Sequence, residues 1–161
     1  MLVDDIFGLA IAYNKNDVTQ SNHLIKVFSF AHHIGIMEKC DRQIQDIIDI
    51  AAILHDIGIK EAIRKHNSSA GNWQEIEGPM VAKDLLKELN IDENTLERVL
   101  FIIGHHHSYD VIDGMDFQIL VEADFLVNIF ENEMDKSSIQ KVAEEIFKTE
   151  SGKKLLTAFY L

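Results

Sequence analysis

Apolar residues in this chain recur at helical rather than strand spacing along most of its 161 residues, and proline interrupts only once, at Pro79. One stripe runs His23, Val27, Ala31, Ile34, and a second runs Ile44, Ile47, Ile48, Ala51, Ala52, His55. A third, Leu96, Val99, Leu100, Ile103, ends at three consecutive histidines. The period predicts a helix near 2–14, a break at Asn14-Lys15-Asn16, and a second helix opened by Asp17 with Gln20 and running to about Glu38. A third helix is expected near 41–57, closed by Gly58 as the residue after its end. Residues 59–76 read as irregular, and Gly78-Pro79 starts the next helix, with proline in the first turn where its missing N–H costs nothing. Asp92 caps the helix that carries the third stripe, and a polar turn from Ser108 to Gly114 leads into a helix near 116–131. Terminal helices near 136–148 and 151–160 follow. With no repeat, low-complexity tract or linker, the expectation is an all-α single-domain helical bundle over 1–161.

Charge narrows the partners. The formal net charge is −12, from 15 basic and 27 acidic residues, with no dense Lys/Arg block. Such a surface repels nucleic-acid polymers and anionic membranes, but a metal and a few local cations still admit a small phosphorylated substrate. Cys40, the single cysteine, leaves no internal disulfide and no cysteine zinc site. Met1 to Asp5 lacks the basic start of a signal peptide, and no apolar run approaches the ~20 residues of a membrane span. The expected location is the cytoplasm. Apolar Phe159, Tyr160 and Leu161 permit a homodimer without requiring one.

Polar residues intrude where the helical stripes call for Leu, Ile or Val: His23, His55-Asp56, Asp124, and the run His105-His106-His107. Buried imidazoles and carboxylates are hydrogen-bonded, paired or metal-bound, because leaving them unpaired is costly. A lone inward histidine is more often a satisfied core residue, and a histidine beside an aspartate at a helix end can simply answer the helix dipole. Several such residues together are explained more economically by one divalent metal inside the bundle. Neighbouring helix positions differ by about 100° in direction, so His55 and Asp56 reach one ion only where the last turn loosens. Asn128, one turn after Asp124, is placed to orient it. Three successive histidines cannot all face one site from a regular helix. One or two of them, His105 and His106 foremost, would ligate or contact phosphate. His32 and His33 receive no role.

With those residues in place, the chain resembles the HD-domain superfamily of metal-dependent phosphohydrolases, over roughly 19–130. Leu54-His55-Asp56-Ile57-Gly58 is the most typical string. Gln74 to Pro79, Gly104 to His107 and Glu122-Ala123-Asp124 look like a small bacterial single-domain branch. The resemblance implies a divalent metal (Mn, Fe, Co, Ni or Mg) held by His23, His55, Asp56 and Asp124. It implies that some members take a second metal through middle histidines, here His105 or His106. Where those members carry another histidine ahead of the next helix, this chain reads Glu77-Gly78-Pro79, so Glu77 or Glu75 would have to substitute. The acidic pair of the nucleotide-alarmone hydrolases and the glycine-tyrosine-proline motif of the cyclic-di-GMP enzymes are both missing. The expected activity is hydrolysis of a small phosphate ester, a nucleotide by preference, as a phosphomonoesterase or phosphodiesterase. Asp56 would orient the water, assisted by His105 and His106. Lys60, Arg64 and Lys65 would meet the phosphate from a 59–77 segment closing over the site. The alternatives are a di-iron oxygenase on the same scaffold and a non-catalytic regulatory module.

Overall fold

The computed structural model describes residues 2–161, and those residues form helices and turns with no strand. The order is α1 (Leu2–Tyr13), α2 (Val18–Met37), α3 (Arg42–Leu54), α4 (Ile59–His66), α5 (Gly71–Leu86) and α6 (Glu93–Ile103). A short 3₁₀ turn (Tyr109–Val111) follows, then α7 (Met115–Glu131), α8 (Lys136–Glu145) and α9 (Glu150–Tyr160). Short polar side chains fix where five of these helices begin. Asp17, Asp41, Asp92, Asp135 and Thr149 each accept from the amide three residues on, at 2.7–3.0 Å. Each such cap is worth about 1 kcal/mol over alanine.

At the centre lies α3, packed against α1, α2, α6 and α7. Every residue from Ile47 to Leu54 is buried, as a helix covered on all sides requires. Alongside it, α7 buries Phe117, Ile119, Leu120, Leu126 and Val127, and α2 closes the third side with Leu24, Val27, Ala31 and Ile34. These three helices supply the walls on which the polar residues of the interior stand. None of the described helices is long and apolar enough to cross a membrane.

One expected stretch is different. Residues 59–76 are not a long irregular segment: α4 occupies 59–66, and α5 is under way from Gly71. Only 67–70 connect them, with Asn67 left-handed (φ 52°, ψ 35°) to end α4 and Ala70 extended to begin α5. The helical signal of α4 is weak in sequence because it buries Ala62 alone. Pro79 therefore lies inside α5, not in its first turn. An interior proline ordinarily costs ~3 kcal/mol, so tertiary packing holds α5 together at that point. Gly58 and Gly78 show how. A Cβ on Gly58 would lie 2.6 Å from the Gly78 amide nitrogen, and one on Gly78 would lie 2.8 Å from Ile103 Cγ2. Gly58 has φ −76° and opens α4, so its glycine serves this close approach and not a left-handed helix end.

Candidate metal centre

Four elements converge on one buried cluster. α2 contributes His23 from mid-helix, and α7 contributes Asp124. His55 and Asp56 come from the turn after α3, where Ile57 bonds to Leu54 O and Ile59 to Asp56 O instead of continuing the α-helical ladder. α6 ends in the same way, with His105 N on Ile102 O and Ser108 N on His105 O, so the histidine run also lies in a turn. Loosened helix ends allow adjacent residues to face one point, and that is the condition the His55-Asp56 pair requires.

The ring tautomers follow from the partners. His55 Nδ1 donates to Ala52 O (2.9 Å), His106 Nδ1 to Ile103 O (2.8 Å) and His23 Nδ1 to Glu131 Oε2 (2.8 Å). A carbonyl or carboxylate can only accept, so each neutral ring carries its proton on Nδ1 and turns an Nε2 lone pair inward. His23 Nε2 stands 3.2 Å from His55 Nε2, 3.2 Å from Asp124 Oδ1 and 3.4 Å from Asp56 Oδ2. His55 Nε2 is 3.5 Å from Asp56 Oδ2 and 3.6 Å from Asp124 Oδ1. On the other side of Asp56, Oδ1 is 3.4 Å from His106 Nε2, a buried atom without a hydrogen-bond partner. Asp56 thus belongs to two groups of ligand-type atoms, one with His23 and His55 and one with His106 and His107.

Charge is settled by the same neighbours. Burial opposes charging His55, yet Asp56 and Asp124 hold its pKa up at about 9. His23 is also raised against its burial, first by the bond to Asp124. Both carboxyls are held well below the usual range despite burial, Asp56 by the charge of His55 and Asp124 by its bonds to His23 and His55. Protons on the imidazoles are therefore what balances the carboxylates when no other cation is present. His107 differs: burial and the neighbouring His106 push it down to about 4, so it is neutral.

A divalent cation fits this donor set. Cis ligands about 2.1 Å from an ion stand about 3 Å apart, close to the 3.2–3.6 Å separations here. Two lone pairs facing each other at the centre, and a buried Nε2 with no partner, are both satisfied by a metal. Nitrogen and carboxylate donors in this mixture suit a borderline ion with positions left for water and substrate. The residues that would hold it are His23, His55, Asp56 and Asp124, with His106 and His107 beside them. Asn128 Nδ2 donates to Asp124 Oδ1 at 2.9 Å, as its spacing implied.

Other expected site residues stand elsewhere. His105 turns back, with Nδ1 on Phe101 O (2.7 Å) and its ring stacked on Phe101. Glu77 is taken by Lys65 (2.5 Å) and His66 (2.8 Å) and lies outside both ligand groups. Lys60 donates to Tyr13 O and sits over the Tyr13 ring, while Arg64 forks onto Glu61. His32 pairs with buried Asp49, and His33 is exposed. Residues outside the expected ligand set also reach the centre, and Glu75, offered by the sequence as a substitute ligand, instead braces the turn that carries the histidine run. Gln20 Nε2 donates to Asp56 Oδ2 (3.3 Å), and it precedes His23 by one helical turn. Glu75 accepts from His107 N and Ser108 Oγ, and Gln74 Oε1 accepts from His107 Nε2. Glu131, behind His23, follows Asp124 by seven residues on the same face of α7, a spacing readable in the sequence.

The fold is shared. A family model for the HD domain matches residues 21–150. Among solved structures, a predicted HD superfamily hydrolase from an uncultured Thermotogales bacterium is 24% identical, with a TM-score of 0.70. That match covers 98% of this chain and 84% of the other, and it shows a common fold. No curated protein matches the sequence. The family model spans most of the chain and includes His23, His55-Asp56, the histidine run and Asp124, so the chain belongs to the HD domain family.

Proposed function

We propose that the protein is a metal-dependent phosphohydrolase that cleaves a small phosphate ester, with a nucleotide as the preferred substrate class. The observation that carries this reading is the buried, unpartnered Nε2 of His106 facing Asp56, opposite the His23, His55 and Asp124 set. When bound there, a divalent ion supplies a water of lowered pKa and offsets charge on a phosphoryl oxygen. Asp56 shares its two oxygens between the two sides, which suits it to orient that water. Access supports a small substrate: side-chain exposure is 0–7% for His23, His55 and His106, and 15% for Asp56.

Lys60, Arg64 and Lys65 are committed to Tyr13, Glu61 and Glu77. Phosphate contacts accordingly fall to the histidine run and its neighbours. His107 presents a neutral ring, and Tyr109, raised to about 12 by burial and the nearby Asp124 and Glu75 charges, keeps its hydroxyl proton. A second reading, oxygen chemistry at a di-iron centre, draws on the two ligand groups that share Asp56. Phosphate release from a panel of nucleotides, with mono- and diester chromogenic substrates, across Mn, Fe, Co, Ni and Mg, tests the proposal. Turnover that requires iron and oxygen would support the second reading. Metal binding without turnover on any substrate would leave a regulatory module.

A further inference from the structure

We propose that Glu131, itself held by Lys26, is the positioning residue that fixes His23 in its metal-ready tautomer. The inference rests on reading the cluster as a metal centre. The three central rings solve one problem in two ways. His55 and His106 lie in turns just beyond helix ends, and each anchors Nδ1 on the carbonyl three residues earlier. Carbonyls in such turns have no helical partner of their own. His23 is the sixth residue of the 20-residue α2, where the surrounding carbonyls are already engaged by the helix. It needs a side-chain acceptor, and Glu131 provides one.

Glu131 is the last residue of α7. Asp124, Asn128 and Glu131 follow one face of that helix, so the face offering a ligand carboxylate also offers, two turns on, the carboxylate behind His23. Both Glu131 oxygens are used: Oε2 accepts from His23 Nδ1 at 2.8 Å and Oε1 from Lys26 Nζ at 2.9 Å. Lys26 is three residues after His23 on α2, so the relay ties α2 to α7 on the outer side of the ring. Without an acceptor at Nδ1, a neutral imidazole populates both tautomers. The Nε2–H form points a proton at Asp124 and Asp56 where a lone pair is needed. An anionic acceptor also raises ligand basicity.

The test is nitrogen-resolved NMR of the histidine rings in the metal-free chain at alkaline pH, together with calorimetric titration of manganese. Wild-type His23 should be in the Nδ1–H form. Glu131→Ala should populate the Nε2–H form and lower manganese affinity about 10–100-fold, with the thermal unfolding midpoint nearly unchanged. Glu131→Gln keeps an acceptor without the charge, so it should restore the tautomer and part of the affinity. An unchanged His23 tautomer in Glu131→Ala overturns the proposal, and so does a shifted tautomer with unchanged affinity in a chain that binds manganese. A shifted tautomer in Glu131→Ala, together with a wild-type chain that takes up no metal, would refute the metal reading and leave the positioning role standing.

Discussion

In the proposed metal centre, proton and metal would compete for the same nitrogen at His55, and this makes pH the most direct probe of single residues. The ring is held at about 9, against the ordinary 6.5, by carboxylates that outweigh its burial. A folded-state pKa above the unfolded value adds stability fully present below 6.5 and lost as pH rises through about 9. The chelator-treated protein should therefore lose thermal stability across that window, and His23, raised in the same direction, adds to the slope. The metal-loaded protein should not, because a ligating ring carries no proton on Nε2. A flat profile after chelation would refute the assigned charge state. By the same logic, His55→Ala and Asp124→Ala should each cut metal affinity by at least the ~10–100-fold typical of supporting residues, as read by elemental analysis of folded protein. His23, His55, Asp56 and Asp124 were legible in sequence because each breaks an apolar helical stripe. The choice among His105, His106 and His107 was not. It depends on which carbonyls the turn after α6 leaves free, and periodicity carries no information about that.

Among the elements, the contact that aims His55 and Asp56 is a crossing of backbones. The turn after α3 meets α5 at Gly58 and Gly78, and α5 in turn meets α6 at Ile103. A methyl group at Gly58 would collide with the Gly78 amide nitrogen and Cα and with Gln74 O, all backbone atoms that cannot rotate away. Gly58→Ala should destabilise the fold by about 1–3 kcal/mol, as overpacking does, and should weaken metal binding because the displaced turn carries two of the proposed ligands. Gly8→Ala is the control: on α1 nothing lies within 4 Å of the new methyl. It should leave metal binding alone and stabilise by roughly 0.5–1 kcal/mol from helix propensity. Urea unfolding with parallel metal titration separates the two. Most helices were readable from stripes and caps such as Asp17 and Asp92. α4 was not, because a helix that buries only Ala62 shows little period. Pro79 then suggested a start where the chain has an interior, held by packing that local sequence does not display.

For the whole molecule, the proposed metal centre would act as a cross-link. The atoms that would hold the ion come from α2, the turn after α3, the turn after α6, and α7, with His23 and Asp124 101 residues apart along the chain. Unfolding disperses them, so an ion bound by the native set alone stabilises the native state by mass action. At a free-metal concentration 100 times Kd the gain is about 2.7 kcal/mol. At roughly 2–4 °C per kcal/mol for a chain of this size, the melting temperature should rise by about 5–10 °C. Chelation should reverse the shift, and Asp124→Ala should abolish it. The C-terminal helices offer a contrasting anchor. Fully buried Glu122 accepts from Lys148 N, Thr149 N, Thr149 Oγ1 and Gln118 Nε2, tying α7 to the start of α9. Glu122→Ala leaves those donors unmet at ~1–3 kcal/mol each, so its melting temperature should fall whether or not metal is present. The metal-induced shift should persist in that variant, because Asp124 projects from the same helix toward the opposite set of partners. A melting temperature unmoved by chelation in the wild type, with Glu122→Ala still destabilised, would mean that this bundle is held by its C-terminal clasp and apolar core without help from an ion.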